Sequence, residues 1–290
     1  MDGFSGPTGD RQIMLSNGVK LALARWEKKG VPDDSAMLLI HGLGDSIATW
    51  RGVANRLATL RSVHAIDLRG HGGSDWAAPS SYSSRTMADD VVEVIRQYLP
   101  RSLVLVGHSL GGEVALRVAS RLPDVVTRTV LVDYVPRTRG EDVDNVYKAL
   151  SDAHRPYATV ADYAEVLHRR HGIANRRLIE LIAADSLRKK DDGFILQYDP
   201  RILRHEETRA AATENGQATL DTLKMPTLIL RGIASSVVST TAMRDSMKSA
   251  ASNVRHRVIP LAGHSIQIDN PGGFLEAVIP FLEKVPEALR

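Results

Sequence analysis

The sequence predicts an α/β protein, a mostly parallel central sheet with helices on both faces and an inserted helical lid. Three observations predict it. Short apolar runs alternate with stretches whose apolar residues recur at helical spacing, the pattern of βαβ units. One such run, Leu103-Val104-Leu105-Val106, leads directly into the helical pattern Ala115, Leu116, Val118 and Ala119, with Gly-x-Ser-x-Gly centred on Ser109 between them. The rhythm then breaks: residues 136–223 are polar and helical in pattern, and strands resume only after Met225-Pro226.

Taken in order, residues 11–15 and 19–25 read as strands joined at Ser16-Asn17-Gly18, and Asn-Gly between two such runs is a strong hairpin signal. A Pro/Asp-rich link over 31–35 leads to Ala36-Met37-Leu38-Leu39-Ile40, continuously apolar as a strand covered on both faces must be. His41-Gly42-Leu43-Gly44 follows at its carboxyl end. A helix is expected over 48–60, a strand over 63–67 and a glycine-rich turn over 68–74. Thr86 with Asp89 forms a capping-box pair opening a helix that stops at Leu99, before Pro100. A short strand over 129–132 follows the Ser109 unit. Later strands are expected over 227–230 and 254–259, with a helix over 242–251 and a last one over 272–284, Pro271 at its start.

Inside the interruption, helical patterns cover 161–170 and 177–187, Thr159 and Asp162 make a second capping pair, and no strong strand signal appears. The expected division is a core of residues 1–135 and 224–290 and a lid of residues 136–223. Such a lid would lie over the carboxyl ends of the strands, where open α/β sheets bind ligands.

Composition narrows the function. With 290 residues, 43% hydrophobic and 24% charged, the chain has the material for one large core with a subdomain. It has no cysteine, which excludes disulfides, thiol catalysis and thiolate metal sites together. The first ten residues lack the apolar run of a secretory signal, and no apolar run approaches the roughly 20 residues of a membrane span. A cytoplasmic protein without a membrane partner is expected. The net charge is +3, but aromatics are only 5%. The basic stretch His168, Arg169, Arg170, His171, Arg176, Arg177, Arg188, Lys189 and Lys190 is interspersed with Glu180, Asp185, Asp191 and Asp192, which describes a solvated helical face rather than a nucleic-acid surface. Oligomeric state leaves no trace in the sequence.

The chemistry centres on Ser109. A strand that turns into a helix within about one residue holds the middle residue in a strained conformation, and the flanking glycines let neighbouring backbone approach. The hydroxyl then stands at a helix N-terminus, where the dipole and a free N–H favour developing negative charge. A serine at neutral pH needs a base. The candidate is His264, in Leu261-Ala262-Gly263-His264-Ser265 just after the last expected strand.

With these pieces the chain resembles the α/β-hydrolase superfamily, particularly its lidded bacterial esterase, lactonase and haloperoxidase-like branch. The residues that carry the resemblance are His41-Gly42-Leu43-Gly44, Asp67-Leu68-Arg69-Gly70-His71-Gly72-Gly73-Ser74, Gly107-His108-Ser109-Leu110-Gly111-Gly112 and Ala262-Gly263-His264, with Gln197-Tyr198-Asp199-Pro200 also familiar. The resemblance implies Ser109 as nucleophile, His264 as general base and later general acid, and the backbone N–H groups of Leu43 and Leu110 as oxyanion hole. It implies a small-molecule ester or lactone substrate and no metal or organic cofactor. His41 and His108 fall where the family commonly has structural histidines, and His71 is expected to brace the glycine turn. His168 and His171, three apart on a helix, have metal-compatible spacing but no evident third ligand.

The acid departs from the pattern. The family usually carries Asp or Glu after the strand that here is Thr227-Leu228-Ile229-Leu230, and this chain has Ser236 where that carboxylate is expected. Three explanations stand open. Asp133, at the end of the preceding strand, acts in its place, or else merely anchors the start of the lid. Ser109 and His264 work as a dyad, oriented by Ser236 or water. Hydrolysis has been lost, and the fold serves ligand binding or a non-hydrolytic cyclase or lyase reaction. Asp269 is near His264 in sequence, but before Asn270-Pro271 it reads as the cap of the last helix.

Overall fold

In the computed structural model, residues 4–27, 30, 34–138, 140–204 and 216–283 are described. Residues 31–33 of the expected link, 139 and 205–215 of the expected lid and Lys284 of the last helix lie outside them. One eight-stranded sheet runs β1 (Gly9–Met14), β2 (Lys20–Trp26), β4 (Ser62–Ile66), β3 (Ser35–Ile40), β5 (Ser102–His108), β6 (Val126–Val132), β9 (Thr227–Gly232) and β10 (Val254–Ile259). The pairs β1/β2 and β2/β4 are antiparallel, and every other neighbouring pair is parallel.

Side chains that alternate along a strand supply two cores. From β3, Ala36, Leu38 and Ile40 pack with Met87 and Val91 of α2 (Ser84–Tyr98) and Val114 of α3 (Leu110–Arg121). Met37 and Leu39 point the other way, to Val53 and Leu57 of α1 (Arg51–Leu57) and Phe274 and Val278 of the last helix (Pro271–Glu283). Each such buried aliphatic or aromatic side chain contributes about 1.5–3 kcal/mol. The continuous apolar run of β3 is therefore explained by helices on both faces. Among the described residues no helix is long and apolar enough to cross a membrane.

Between β6 and β9 the chain forms α4 (Gly140–Ala153), α5 (Val160–Arg170), α6 (Arg176–Ser186) and α7 (Gly216–Thr222). The Thr159–Asp162 capping box forms at the start of α5. A third apolar cluster, with Tyr163, Leu167, Leu178 and Ile182, touches the rest of the chain at Ala48 and Ile268. Backbone bonds from Gly72 N–H to Gln197 O (2.6 Å) and Asp199 N–H to Gly70 O (2.8 Å) tie this insertion to the glycine turn.

Three details differ from the sequence reading. The cap of α2 is Ser83, whose Oγ accepts Thr86 N–H, while Asp89 pairs with Arg121. The 48–60 helix is a 3₁₀ turn (Ile47–Trp50) capped by Ser46, followed by α1. The insertion also contains a hairpin, β7 (Leu187–Lys190) and β8 (Gly193–Leu196). Its first strand exposes Arg188, Lys189 and Lys190, so only Leu187 carried an inward apolar signal.

Candidate active site

Ser109 sits between β5 and α3 with φ 52° and ψ −119°. An L-residue holds that conformation only under strain, at a cost of about 1–3 kcal/mol. The turn is tight enough that a Cβ on Gly107 would lie 2.1 Å from Gly111 O, and one on Gly111 2.3 Å from Ile40 O. Only glycine fits at either position. The Ser109 N–H donates to Val132 O (3.0 Å), and its carbonyl accepts from Gly112 and Glu113 N–H at 2.8 and 3.2 Å. These bonds fix the serine at the first turn of α3.

The N–H groups of Leu110, the first residue of α3, and Leu43, in the turn after β3, have no hydrogen-bond partner among the described residues. Leu43, Ser109 and Leu110 line one pocket together with Tyr134, Val135 and Val237. Val143, Val146 and Tyr147 of α4 add an apolar wall, and the described lining includes the carboxylates of Glu113, Asp133 and Asp144.

Asp133 follows β6 and takes φ 47°, a left-handed conformation that Asp and Asn tolerate better than most residues. It is fully buried, and its N–H donates to Leu230 O at 2.8 Å. Its Oδ2 accepts from His264 Nδ1 at 2.7 Å and from the Ser235 hydroxyl. Its Oδ1 accepts Gly232 N–H at 3.0 Å. A carboxylate accepts, so Nδ1 of His264 carries the hydrogen, and in the neutral imidazole Nε2 holds the lone pair. Ser236, by contrast, is exposed and Ser235 is the serine at the carboxylate. Sequence reasoning missed Ser235 because its motif alignment pointed one residue further on.

The loop bearing His264 is held on further sides. His108 Nε2 donates to His264 O (3.0 Å), and the two rings are 4.7 Å apart. Asp269 does not cap the last helix. Asn270 does, its Oδ1 accepting Gly273 N–H at 2.9 Å, which frees Asp269 Oδ2 to accept Gly263 N–H at 2.8 Å. Asp269 Oδ1 accepts from His171 Nδ1 at 2.7 Å, so that histidine faces a carboxylate from the insertion.

His41 and His71 are braces. His41 donates Nδ1–H to Gly42 O (2.7 Å) and accepts Leu68 N–H at Nε2 (3.0 Å). His71 donates Nδ1–H to Arg69 O (3.0 Å) and accepts Gly44 N–H at Nε2 (3.1 Å). Burial pushes His41 down to about 3 and His71 to about 4, so both stay neutral and both ring nitrogens are occupied.

The sequence profile of the alpha/beta hydrolase fold matches residues 35–271, more than half of the chain. The chain is similar to 2-(acetamidomethylene)succinate hydrolase of Mesorhizobium japonicum, 27% identical over 247 residues, which cover 85% of this chain and 87% of that protein. It is similar to esterase Rv0045c of Mycobacterium tuberculosis, 26% identical over 257 residues, 83% of this chain and 80% of the esterase. The crystal structure of E-2-(acetamidomethylene)succinate hydrolase superposes with a TM-score of 0.85, covering 95% of this chain and 99% of that one at 23% identity, a likeness of fold. The matched span holds the Ser109 turn, Asp133 and the His264 loop. The protein belongs to the alpha/beta hydrolase family.

Proposed function

We propose that the protein is a serine hydrolase that cleaves a carboxylic ester or lactone through an acyl-enzyme on Ser109. The observation that carries the reading is the 2.7 Å contact between His264 Nδ1 and Asp133 Oδ2. It directs the Nε2 lone pair of His264 outward, as a general base for a serine hydroxyl requires. His264 takes the Ser109 proton as Oγ bonds to the carbonyl carbon. The oxyanion that forms is stabilised by the N–H groups of Leu43 and Leu110. His264 then protonates the departing alkoxide, which in a lactone stays attached to the acyl group. Water repeats the sequence on the acyl-enzyme, and Ser109 is regenerated. Asp133 accepts the Nδ1 hydrogen throughout and stabilises the imidazolium.

The relatives named as an esterase and a hydrolase support the reaction class. The apolar wall of Val143, Val146 and Tyr147 supports an uncharged, apolar acyl group. Residues 136–223 are read as the lid, with α4 supplying that wall. The rival reading, a ligand-binding or non-hydrolytic protein, was motivated by the absence of a carboxylate after β9. That motive weakens when a buried carboxylate lies 2.7 Å from the histidine.

The test is reaction of the pure protein with a fluorophosphonate at neutral pH, followed by intact mass. A single adduct is expected, absent in Ser109→Ala and much slower to form in Asp133→Asn. A folded wild type that takes no label would overturn the proposal.

A further inference from the structure

The loop that carries His264 is linked to the insertion through one carboxylate. Asp269 Oδ2 accepts the N–H of Gly263, the residue before His264, at 2.8 Å. Asp269 Oδ1 accepts from His171 Nδ1 at 2.7 Å, and these two side chains are only 7% and 6% exposed. His171 is the C-cap of α5, its own N–H bonded to Leu167 O, so its ring position is set by that helix. Packing runs along the same line. The apolar cluster of the insertion meets the core at Ala48 and at Ile268, the neighbour of Asp269. Beside the contact lies a cavity bordered by Asp45, Arg170, His171, Ser265 and Ile268. Here a polar bond, beside the apolar packing at Ile268, joins α5 to the segment after His264.

We propose that Asp269 is a positioning residue for His264, and that His171 makes this position depend on the seating of the α5–α6 pair. The proposal rests on the reading of His264 as general base. His264 is held at its ring by Asp133, at its carbonyl by His108 and at the preceding N–H by Asp269. Only the last of these holds has its far end in the insertion. When α5 lifts, Asp269 loses the imidazole donor and becomes a buried carboxylate with one partner, which is unfavourable. It relieves this by turning toward solvent and releasing Gly263. The base is then free to drift from Ser109, so the reactive geometry is complete only when the insertion is seated. No proton is transferred along the link. His171 donates Nδ1–H to the carboxylate whether neutral or charged.

The experiment measures the rate at which a small dialkyl fluorophosphate labels Ser109, since such a probe is too small to need the α4 wall. It is paired with hydrogen exchange of the peptide containing Gly263 and with melting temperature. His171→Ala should slow labelling by about 10- to 100-fold, as expected for a catalytic group displaced by up to ~1 Å. It should also deprotect the Gly263 peptide. His171→Asn, whose amide can donate to Asp269, should restore most of both.

Unchanged labelling in His171→Ala overturns the proposal, as does slowed labelling with unchanged exchange at Gly263. A His171→Asn variant as slow as His171→Ala overturns it too. If the wild type takes no label while His171→Ala still deprotects Gly263, the link stands and the hydrolase reading fails.

Discussion

Asp133 Oδ2 lies 2.7 Å from His264 Nδ1, with the Ser235 hydroxyl on the same oxygen and the Gly232 N–H on the other. The carboxylate thus reaches the histidine from the end of β6, while the end of β9, which neighbours β6 in the sheet, and the turn after it supply donors to it. Under the proposed mechanism, Asp133→Asn leaves a carboxamide that cannot accept as an anion and offers an N–H to groups that are themselves donors. A wrong histidine tautomer in such a triad costs about 10⁴-fold. Steady-state kinetics should show kcat/KM reduced by about 10³- to 10⁴-fold. Because Asn also tolerates the φ of 47°, the variant should still fold, melting below wild type for the lost donor contacts but above Asp133→Ala. Asp133→Ala should lose both activity and stability.

Ser235 gives a second, graded prediction. Its hydroxyl donates to Asp133 and accepts the N–H groups of Val237 and Val238 at 3.2 and 3.0 Å. A hydrogen bond to a charged group is worth about 1.5–3 kcal/mol. Ser235→Ala should therefore lower kcat/KM by about 10-fold or somewhat more, with a measurable drop in melting temperature. Ser236→Ala, at an exposed position, should change neither. Equal effects at the two positions would contradict this assignment of the carboxylate's partners.

Much of this arrangement was legible in the sequence, for identifiable physical reasons. The Ser109 turn was readable because a strand, two obligatory glycines and a helix are local features. His264 was readable because it follows a strand directly. Asp133 was visible as a carboxylate at a strand end and as one of three open explanations for the missing acid. Its partner depends on two parallel strands lying side by side, which no local pattern encodes. Asp269 was misread for the converse reason: a carboxylate before Asn-Pro is a sound cap candidate, but Asn270 took the cap and released it. The hairpin of β7 and β8 escaped because its basic residues face solvent, leaving no alternation to detect.

The strain at Ser109 makes a prediction about stability rather than rate. Glycine adopts φ 52°, ψ −119° without the Cβ penalty, which is about 1–3 kcal/mol for other residues. Against this, glycine loses about 0.5–1 kcal/mol more backbone entropy on folding. Ser109→Gly should therefore be about 1 kcal/mol more stable than Ser109→Ala, with both inactive. Urea unfolding of the two variants measures the difference. A Ser109→Ala variant as stable as Ser109→Gly would mean that the turn holds no such strain.

Acid sensitivity follows from three buried groups. His41 and His71 are held down to about 3 and 4 by burial, so unfolding between those values and their ordinary 6.5 takes up protons. Asp67 works in the opposite sense. Burial pushes it up to about 6, against the opposing effect of N–H bonds from Gly73 and Ile47, so between about 4 and 6 unfolding releases a proton from it. Two protons are gained and one is lost across that window. Stability should then rise with pH by about 1.4 kcal/mol per unit from roughly 4 to 6 and level off above about 6.5. Above pH 6 Asp67 is ionised in both states, and the histidine contribution is complete once the unfolded imidazoles are neutral. Urea unfolding at a series of pH values at constant ionic strength measures the slope. A stability that is flat or falls as pH rises from 4 to 6 would mean that these buried histidines are not held neutral.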